Sequence, residues 1–450
     1  MSNDVKIGVA ISGGGHRAAL FGLGALLFLI DAGKGRQLGS ISSVSGGSLT
    51  NAHFGRIDLT AVEPDEAWAH GKQLASQIVR RGTLWAAPLT YLYLVCIPLV
   101  IVAAVVVGHL GVPWATASAW VAAILLCAWL SQQRSFVAAM AFDRTLLRKS
   151  QLSSLCKRVT HVLCASDIQT GQAVFFSSDF VYSWRTGWGT PGRLRTARAA
   201  QASAALPGAF TVVPLPLSRF GLPEPRLPVL KPPRKFMLLD GGVYDNMGSE
   251  WLLGLKDRLR EGTPPAGLTA VSEVVIVNGS AGEGVSARSG VTIPVVGELL
   301  SLLAVKDVMY RQTTAVRRRL LDVRYRIAQY IVHTDVGAPR LKSEALAGTT
   351  VQIDRTPFAL IDAFSSGGDD FAQRARAALE VLGSQTRDLW NAEAANNRAV
   401  KTTLSRIKPD RAEWLIRHAY VLTMVNCHVL LGYPLLPIPD AVRFSDLVSG

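Results

Sequence analysis

Residues 41–50 are Ile-Ser-Ser-Val-Ser-Gly-Gly-Ser-Leu-Thr, where a short β-like run meets two glycines and then a helical pattern. A serine hydroxyl becomes an effective nucleophile when a sharp strand-to-helix turn presents it, and that turn needs small residues two positions before and after the serine. Ser45 meets this requirement, with Ser43 before it, Gly47 after it and Gly46 inside the turn. The stretch predicts a nucleophile elbow centred on Ser45.

Two features of this stretch weigh against a simple assignment. Glycine is the usual residue at the first flank, and Ser43 departs from that pattern. Ser48 is a rival nucleophile, although Thr50 would then bring a β-branched side chain into the turn. Runs of serine and glycine are also typical of ordinary loops, so the interpretation depends on other parts of the chain.

A glycine-rich stretch near the start of the chain supports the elbow. The apolar run 5–11 leads into Ser-Gly-Gly-Gly-His-Arg at 12–17 and then into an apolar helical run at 18–30. Three glycines at a strand-to-helix junction allow consecutive N–H groups to point into one concavity beside the positive end of a helix. We expect an anion to bind there.

A carboxylate at the end of a strand is the third feature. Residues 236–242 are Phe-Met-Leu-Leu-Asp-Gly-Gly, so an apolar run delivers Asp240 and two glycines, Gly241 and Gly242, follow it. A carboxylate in such a position can approach a hydroxyl and act as its general base. Asp245 is a second candidate, but helix capping explains an aspartate beyond the turn equally well.

In this order, the three stretches resemble the patatin-like phospholipases. The resemblance includes Ala-Ser-Ala-Ala-Leu-Pro at 202–207 and Asp-Ile-Gln-Thr-Gly at 167–171, and it spans roughly residues 5–250. It implies a three-layer α/β fold, with a mainly parallel central sheet covered by helices on both faces, and lipid degradation by a serine esterase without cofactor. The implied sites are a catalytic Ser45–Asp240 dyad; an oxyanion hole at Gly13, Gly14, Gly15 and Arg17; elbow support from Ser43, Gly46 and Gly47; and a turn at Gly241 and Gly242.

Two uncharged stretches, 84–108 and 112–130, interrupt the catalytic motifs. Each approaches the roughly 20 apolar residues that a helix needs to cross a bilayer. Arginines precede the first stretch and follow the second, so the positive-inside rule places both flanks in the cytoplasm. We therefore predict a multi-pass protein of the cytoplasmic membrane, with a hairpin at 83–131 inserted between two parts of a cytoplasmic catalytic domain, 1–82 and 132–450. The alternative is a buried hairpin or an oligomer contact in a soluble protein.

The composition agrees with a membrane protein that meets an anionic surface. Of 450 residues, 49% are hydrophobic, and the 47 basic residues exceed the 33 acidic ones by 14. Mean hydropathy is +0.25. We expect a membrane lipid substrate, contact with the bilayer through residues 84–130 and no nucleic-acid partner, since no recognition motif is present. Five cysteines without metal spacing indicate reduced thiols and no metal site. The oligomeric state stays open.

Three other functions compete with the lipid hydrolase. A conventional Ser-Asp-His triad would use His333, His418 or His428 as its base. A catalytically silent membrane scaffold would keep the fold and bind a lipid or a partner, and the Ser43 departure is the feature in its favour. A nucleotide-binding loop is disfavoured because neither Lys-Ser/Thr nor Gly-x-Gly-x-x-Gly follows the first strand.

Overall fold

A computed structural model of the chain describes residues 5–225, 231–260, 262–280, 296–334 and 345–449. The strands of these residues form a single ten-stranded sheet. The strands are β1 (Ile7–Ile11), β2 (Leu38–Val44), β3 (Thr160–Asp167), β4 (Gln172–Phe176), β5 (Val181–Ser183), β6 (Gly187–Gly189), β7 (Val213–Pro216), β8 (Lys235–Asp240), β9 (Glu273–Asn278) and β10 (Ala347–Gln352).

The centre of the sheet is parallel. Neighbouring strands in the order β10-β9-β1-β2-β3 all run in the same direction. Beyond β3 the sheet continues as an antiparallel extension through β4, β5 and β6, and the β7–β8 hairpin joins β3 antiparallel. The predicted α/β fold with a parallel central sheet is confirmed, and the antiparallel extension is an addition to it.

Helices cover both faces of this sheet. Along β1, Ile7, Val9 and Ile11 enter one hydrophobic core, and Ala10 enters a second core on the opposite face. Both faces of the sheet are therefore apolar and need a covering layer of helices. The helices are α1 (Gly15–Asp31), α2 (Gly46–Phe54), α3 (Pro64–Arg80), α4 (Pro88–Gly108), α5 (Pro113–Gln132), α6 (Arg134–Phe142), α7 (Thr196–Ser203), α8 (Gly242–Asp245), α9 (Glu250–Leu253), α10 (Leu255–Arg258), α11 (Val296–Thr334), α12 (Pro357–Phe364), α13 (Asp370–Leu382), α14 (Arg387–Ala399), α15 (Pro409–Leu431) and α16 (Ala441–Val448).

Helix α1 occupies the middle of the larger core and packs against α15. The two backbones approach closely, since a Cβ atom on Gly24 would lie 2.1 Å from the carbonyl oxygen of Ile416. Most of the apolar residues of α15 are buried by this contact. The C-terminal apolar run at 419–432 therefore forms a core helix, as its short length predicted.

Helices α4 and α5 form the predicted apolar hairpin, and they lie outside both cores. Helix α4 and the helical stretch Pro113–Leu147, which begins with α5, are each long and apolar enough to cross a membrane, and only 6% of the most apolar 18 residues of either is buried. Thr90 and Ala104 are the buried residues of α4, and Ala123 is that of α5. This exposure argues against a hairpin buried in the chain's own core. The helices begin and end close to the predicted limits, and α6 follows α5 after Gln133.

Candidate active site

Ser45 occupies a strained turn between β2 and α2. Its backbone angles are φ 53° and ψ −120°, a combination that an L-residue adopts only when its surroundings impose it. The residue is the N-cap of α2, so its hydroxyl lies at the positive end of that helix. This is the backbone geometry of a nucleophile elbow.

The two glycines after Ser45 are required by a close approach of chain segments. A Cβ atom on Gly46 would lie 1.9 Å from the carbonyl oxygen of Gly15, and one on Gly47 would lie 2.6 Å from that of Ser12. The glycine-rich loop thus passes directly against the first turn of α2. Any side chain at either position would push this loop away from the serine.

The register of the sheet brings Asp240 to the same place. Strand β2 pairs with β3 up to the pair Val44–Cys164, and β8 pairs with β3 from Ala165, the partner of Asp240. Both strands occupy the same edge of β3, because β4 pairs with the opposite edge across both segments. The end of β2 therefore meets the end of β8, and Ser45 and Asp240 leave their strands toward each other.

Ser203, the last residue of α7, holds the two turns together. Its carbonyl oxygen accepts hydrogen bonds from the N–H of Ser45 and from that of Gly241, each at 3.1 Å. Gly241 cannot carry a side chain here, because its Cβ would lie 2.2 Å from the carbonyl oxygen of Cys164. Asp240 in turn accepts a hydrogen bond on Oδ1 from the N–H of Gly242 at 2.8 Å. One buried carbonyl group thus positions both motifs.

A buried network of hydroxyl groups includes Ser48, the rival nucleophile, and Ser43, the departure from glycine. Ser48 is fully buried, and its Oγ lies 2.8 Å from Oγ of Ser203 and 3.1 Å from Oγ of Ser43. Ser43 also donates to the carbonyl oxygen of Val162. Ser48 is therefore enclosed beneath the elbow, while Ser45 faces a cavity. The serine at 43 fits where glycine is usual because its hydroxyl belongs to this network.

In the glycine-rich loop, two residues adopt left-handed backbone angles, Gly14 with φ 141° and Gly15 with φ 61°. The N–H of Gly13 differs from the expectation of an oxyanion donor, because it donates to the carbonyl oxygen of Asn246 at 2.9 Å. The N–H groups of Gly14 and Gly15 have no acceptor among the described residues. The candidate donor set is therefore smaller than the triple glycine predicted.

Arg17 braces the walls of the site. It is buried, and it donates to the carbonyl oxygens of Gly279 and Val400 and to the hydroxyl of Thr402. Burial lowers the pKa of its guanidinium group to about 10. All three of its acceptors are uncharged, and they lie in two loops, one at Gly279 and one at 400–402, which Arg17 ties together beside the cavity.

The competing acid and base candidates lie elsewhere. Asp245 accepts hydrogen bonds from the N–H groups of Met247 and Glu250 and from the hydroxyl of Ser249, as a capping carboxylate does. His418 is fully buried against the carbonyl of Arg355. His428 contacts the carbonyl of Tyr433. None of these residues lines the cavity, and the side chain of His333 lies outside the described residues.

The cavity in front of Ser45 has a volume of about 620 Å³, which suits a drug-sized or lipid ligand. Ser45, Asp240 and the three loop glycines all line this cavity. Apolar side chains form much of the remaining lining. The larger apolar lining residues are Leu84, Trp85, Leu206, Phe210 and Leu404.

Several residues of the cavity lie outside the sequence motifs. Residues 402–405, far away in the chain, form one side of the cavity, and Tyr310 and Arg311 of α11 form another. His16 fastens the glycine-rich loop to this region, because its ring nitrogens lie 2.7 Å from the carbonyl oxygen of Ser405 and 3.0 Å from Oγ1 of Thr83. No local pattern marks residues 402–405, and their proximity follows from the packing of α15 on α1.

Comparison with known proteins yields distant structural likenesses. The chain is similar to human GIVD cytosolic phospholipase A2, with 13% identity and a TM-score of 0.47, over 99% of this chain and 61% of that one. The same human protein in complex with methyl gamma-linolenyl fluorophosphonate and terbium chloride gives 16% identity and a TM-score of 0.26, over 41% and 24% of the two chains. This chain thus spans about three fifths of that protein at most.

No family model matches the chain, and no curated protein matches it either. What the chain does therefore has to be inferred from its own residues.

Proposed function

We propose that the chain is a patatin-like, membrane-anchored lipid acyl hydrolase that uses a Ser45–Asp240 dyad. The observation that carries this proposal is the meeting of a strained Ser45 and the strand-end carboxylate Asp240 in one cavity lined by the glycine-rich loop. Acyl transfer needs an activated serine, a carboxylate beside it and N–H groups that are free to bind an oxyanion. The site supplies a strained serine at a helix N-terminus, a neighbouring carboxylate and N–H groups without an acceptor among the described residues.

In the proposed reaction, Asp240 accepts the proton of the Ser45 hydroxyl as its oxygen attacks the ester carbonyl of a lipid. The N–H groups of Gly14 and Gly15 stabilise the negative charge that develops on the carbonyl oxygen, and each such donor is typically worth about 3–4 kcal/mol. The alcohol part of the lipid leaves with the proton, and an acyl-enzyme remains. Water then attacks the acyl-enzyme while Asp240 accepts one of its protons, and Asp240 returns that proton to the Ser45 oxygen as the fatty acid leaves.

A dyad without histidine is supported by the residues around the cavity. No histidine lines it among the described residues. His16 is the histidine nearest in sequence to the glycine loop, and burial lowers its pKa to about 4, so its ring is neutral near pH 7 and engaged with Ser405 and Thr83. A carboxylate is therefore the base that the site offers.

The position of the apolar hairpin supports a lipid substrate. Leu84 and Trp85, immediately before α4, line the catalytic cavity. If α4 and α5 lie in a bilayer, the mouth of the cavity lies at the membrane surface, where an acyl chain can enter it directly. Tethering of this kind raises the effective concentration of a lipid substrate. Catalysis on the cytoplasmic side follows from the basic flanks of the hairpin.

The test is hydrolysis of mixed phospholipids by detergent-purified protein, with the released products identified by mass. Ser45→Ala and Asp240→Asn are each expected to lower the rate at least about 10³-fold, because both residues act in the chemical step. Ser48→Ala and Asp245→Asn are the matched controls, since each makes the same chemical change at a residue outside the cavity.

The controls are expected to keep the rate within about ten-fold. A wild-type protein that is folded yet inactive on every lipid class would contradict the proposal and favour a silent membrane scaffold. A Ser45→Ala protein as active as an active wild type would contradict the role of Ser45 as nucleophile. Circular dichroism of each variant verifies that the fold is intact.

A further inference from the structure

A second cavity, of about 690 Å³, lies at the start of α4 and shares Trp85 and Ser405 with the catalytic cavity. It is referred to here as the arginine groove, because three arginines and no acidic residue line it. The residues that define it are Arg80, Arg81, Trp85, Tyr91, Ser405 and Arg406.

Main-chain packing builds the groove from two remote segments. Gly82 turns the chain with φ 68°, and a Cβ atom there would lie 2.8 Å from the nitrogen of Arg406. The N–H of Thr83 donates to the carbonyl oxygen of Leu404 at 3.3 Å, and Nε1 of Trp85 donates to Oγ of Ser405 at 2.8 Å. These contacts hold Arg406 beside Arg81, so the convergence of charge is a fixed property of the fold.

Among the described residues, no acidic side chain neutralises the three guanidinium groups. No ion pair within the described residues includes any of them. The three groove arginines are exposed, whereas Arg258 and Arg317, which are less exposed, are paired with Glu250. Like charges held together repel one another unless an anion lies between them, and guanidinium groups match the geometry of phosphate oxygens.

The level of the groove relative to the bilayer indicates which anion is available to it. Its walls include Trp85 and Tyr91, whose rings lie 6.3 Å apart at the start of the exposed apolar helix α4. Indole and phenol rings prefer the headgroup layer of a bilayer, and that layer is where lipid phosphates lie. An anion that reaches the groove from the membrane side is therefore a lipid phosphate.

We propose that the arginine groove binds the phosphate of an anionic phospholipid and that this lipid is the preferred substrate. The inference rests on the proposed function, because it uses the hairpin as the membrane anchor and Ser45 as the nucleophile. The shared wall of Trp85 and Ser405 lets one lipid place its phosphate in the groove and its ester in the catalytic cavity. The groove then selects glycerophospholipids whose headgroup carries a net negative charge.

The experiment uses the full-length protein in vesicles with equal amounts of phosphatidylglycerol and phosphatidylcholine of the same acyl chains. The lysolipid released from each is measured by mass spectrometry. Wild type is expected to favour phosphatidylglycerol, and the variant Arg80→Gln/Arg81→Gln/Arg406→Gln is expected to lower that preference at least about ten-fold.

The matched control is Arg144→Gln/Arg148→Gln/Lys149→Gln, which removes three positive charges from the other flank of the hairpin, outside the groove. It is expected to keep the preference within about two-fold. Equal slowing of both lipids by the groove variant, or an equal loss of preference in the control, would overturn the proposal, because general attraction to the membrane would then explain the effect.

A binding measurement separates failure of the groove from failure of the proposed function. Ser45→Ala protein is titrated with diether phosphatidylglycerol, which has no carboxylic ester, and bound lipid is counted by native mass spectrometry. The groove variant, built on Ser45→Ala, is expected to bind at least about ten-fold more weakly even if no protein hydrolyses any lipid. If the groove variant binds this lipid as tightly as Ser45→Ala does, the phosphate-binding role of the groove is overturned, and the proposed hydrolase function is not affected. Displacement of the lipid by millimolar inorganic phosphate would identify a free-phosphate site and overturn the lipid assignment.

Discussion

Helices α1 and α4 are similar in length and in apolar character, yet they lie in opposite surroundings. Of the 17 residues of α1, 16 are buried in the protein core. Of the 21 residues of α4, only Thr90 and Ala104 are buried. Apolar composition on all sides therefore does not distinguish the central helix of a domain from a helix that leaves it.

Small residues account for the difference. A Cβ atom on Gly22 would lie 2.6 Å from the side chain of Ile11, and one on Gly24 would lie 2.1 Å from the backbone of α15. These glycines let a strand and a helix approach α1 from two sides. Helix α4 has no glycine before its last residue and carries Leu, Val and Ile on every side, which suits contact with lipid chains better than close packing.

A charge placed in each helix is the strongest way to test this contrast. Leu26→Lys puts an unpaired cation into the core, at a cost comparable with the roughly 5–15 kcal/mol that stabilises a domain, so no folded protein is expected. Leu99→Lys, near the middle of α4, is expected to cost about 2.5–3.5 kcal/mol of membrane insertion and to leave the catalytic part folded.

The measurements are circular dichroism in detergent and resistance of the protein to alkaline extraction from membranes. If Leu99→Lys unfolds the protein as completely as Leu26→Lys does, α4 is a core helix and the membrane hairpin is wrong.

A milder pair of substitutions sharpens the same comparison. Leu26 is fully buried and Leu99 is 59% exposed. Leu26→Ala is expected to lower the free energy of unfolding by about 2–5 kcal/mol, because it leaves a cavity in a packed core. Leu99→Ala is expected to change it by less than about 0.5 kcal/mol, since no packed neighbour is lost. Thermal unfolding in detergent measures both, and equal effects would remove the distinction.

The smallest effect concerns the histidines at the two helices. Burial lowers the pKa of His16 in α1 to about 4, below the unfolded value of 6.5. Between these values the unfolded chain binds more protons than the folded one, so stability falls as the pH falls through this window. The expected loss attributable to His16 is about 2 kcal/mol at pH 5 relative to pH 7.

His16→Gln keeps a hydrogen-bonding side chain without the titration, and it is expected to flatten the decline of the unfolding temperature between pH 7 and pH 5. His109→Gln, in the exposed turn after α4, is the matched control and is expected to leave the decline unchanged. His161 and His418 have pKa values lowered to about 4 by burial, so a residual slope remains. An identical slope in wild type and His16→Gln would contradict the expectation.

Much of the candidate site could be anticipated because its parts are local. The elbow, the glycine-rich loop and the Asp-Gly-Gly turn each need particular small residues at fixed offsets, and those offsets are visible along the chain. The choice between Ser45 and Ser48 is not a local property of the sequence. It depends on which hydroxyl is enclosed, and Ser203 of a distant helix encloses that of Ser48.

Other parts of the candidate site have no local sequence pattern that predicts them. The meeting of Ser45 with Asp240 depends on which edge of β3 each strand joins. The use of the Gly13 N–H by Asn246 and the approach of Arg406 to Arg81 depend on loops that are remote in the chain. A residue's partners across such distances are decided by the packing of whole elements, which a motif cannot express.

From its residues alone, the chain specifies an apolar sheet core, three turns of chemical interest and two helices long and apolar enough to cross a membrane, because periodicity, glycine placement and charge-free length are local properties. The tertiary structure decides which serine faces a cavity, which N–H groups stay uncommitted and where three arginines converge. Those outcomes follow from strand register and helix packing, which join segments hundreds of residues apart.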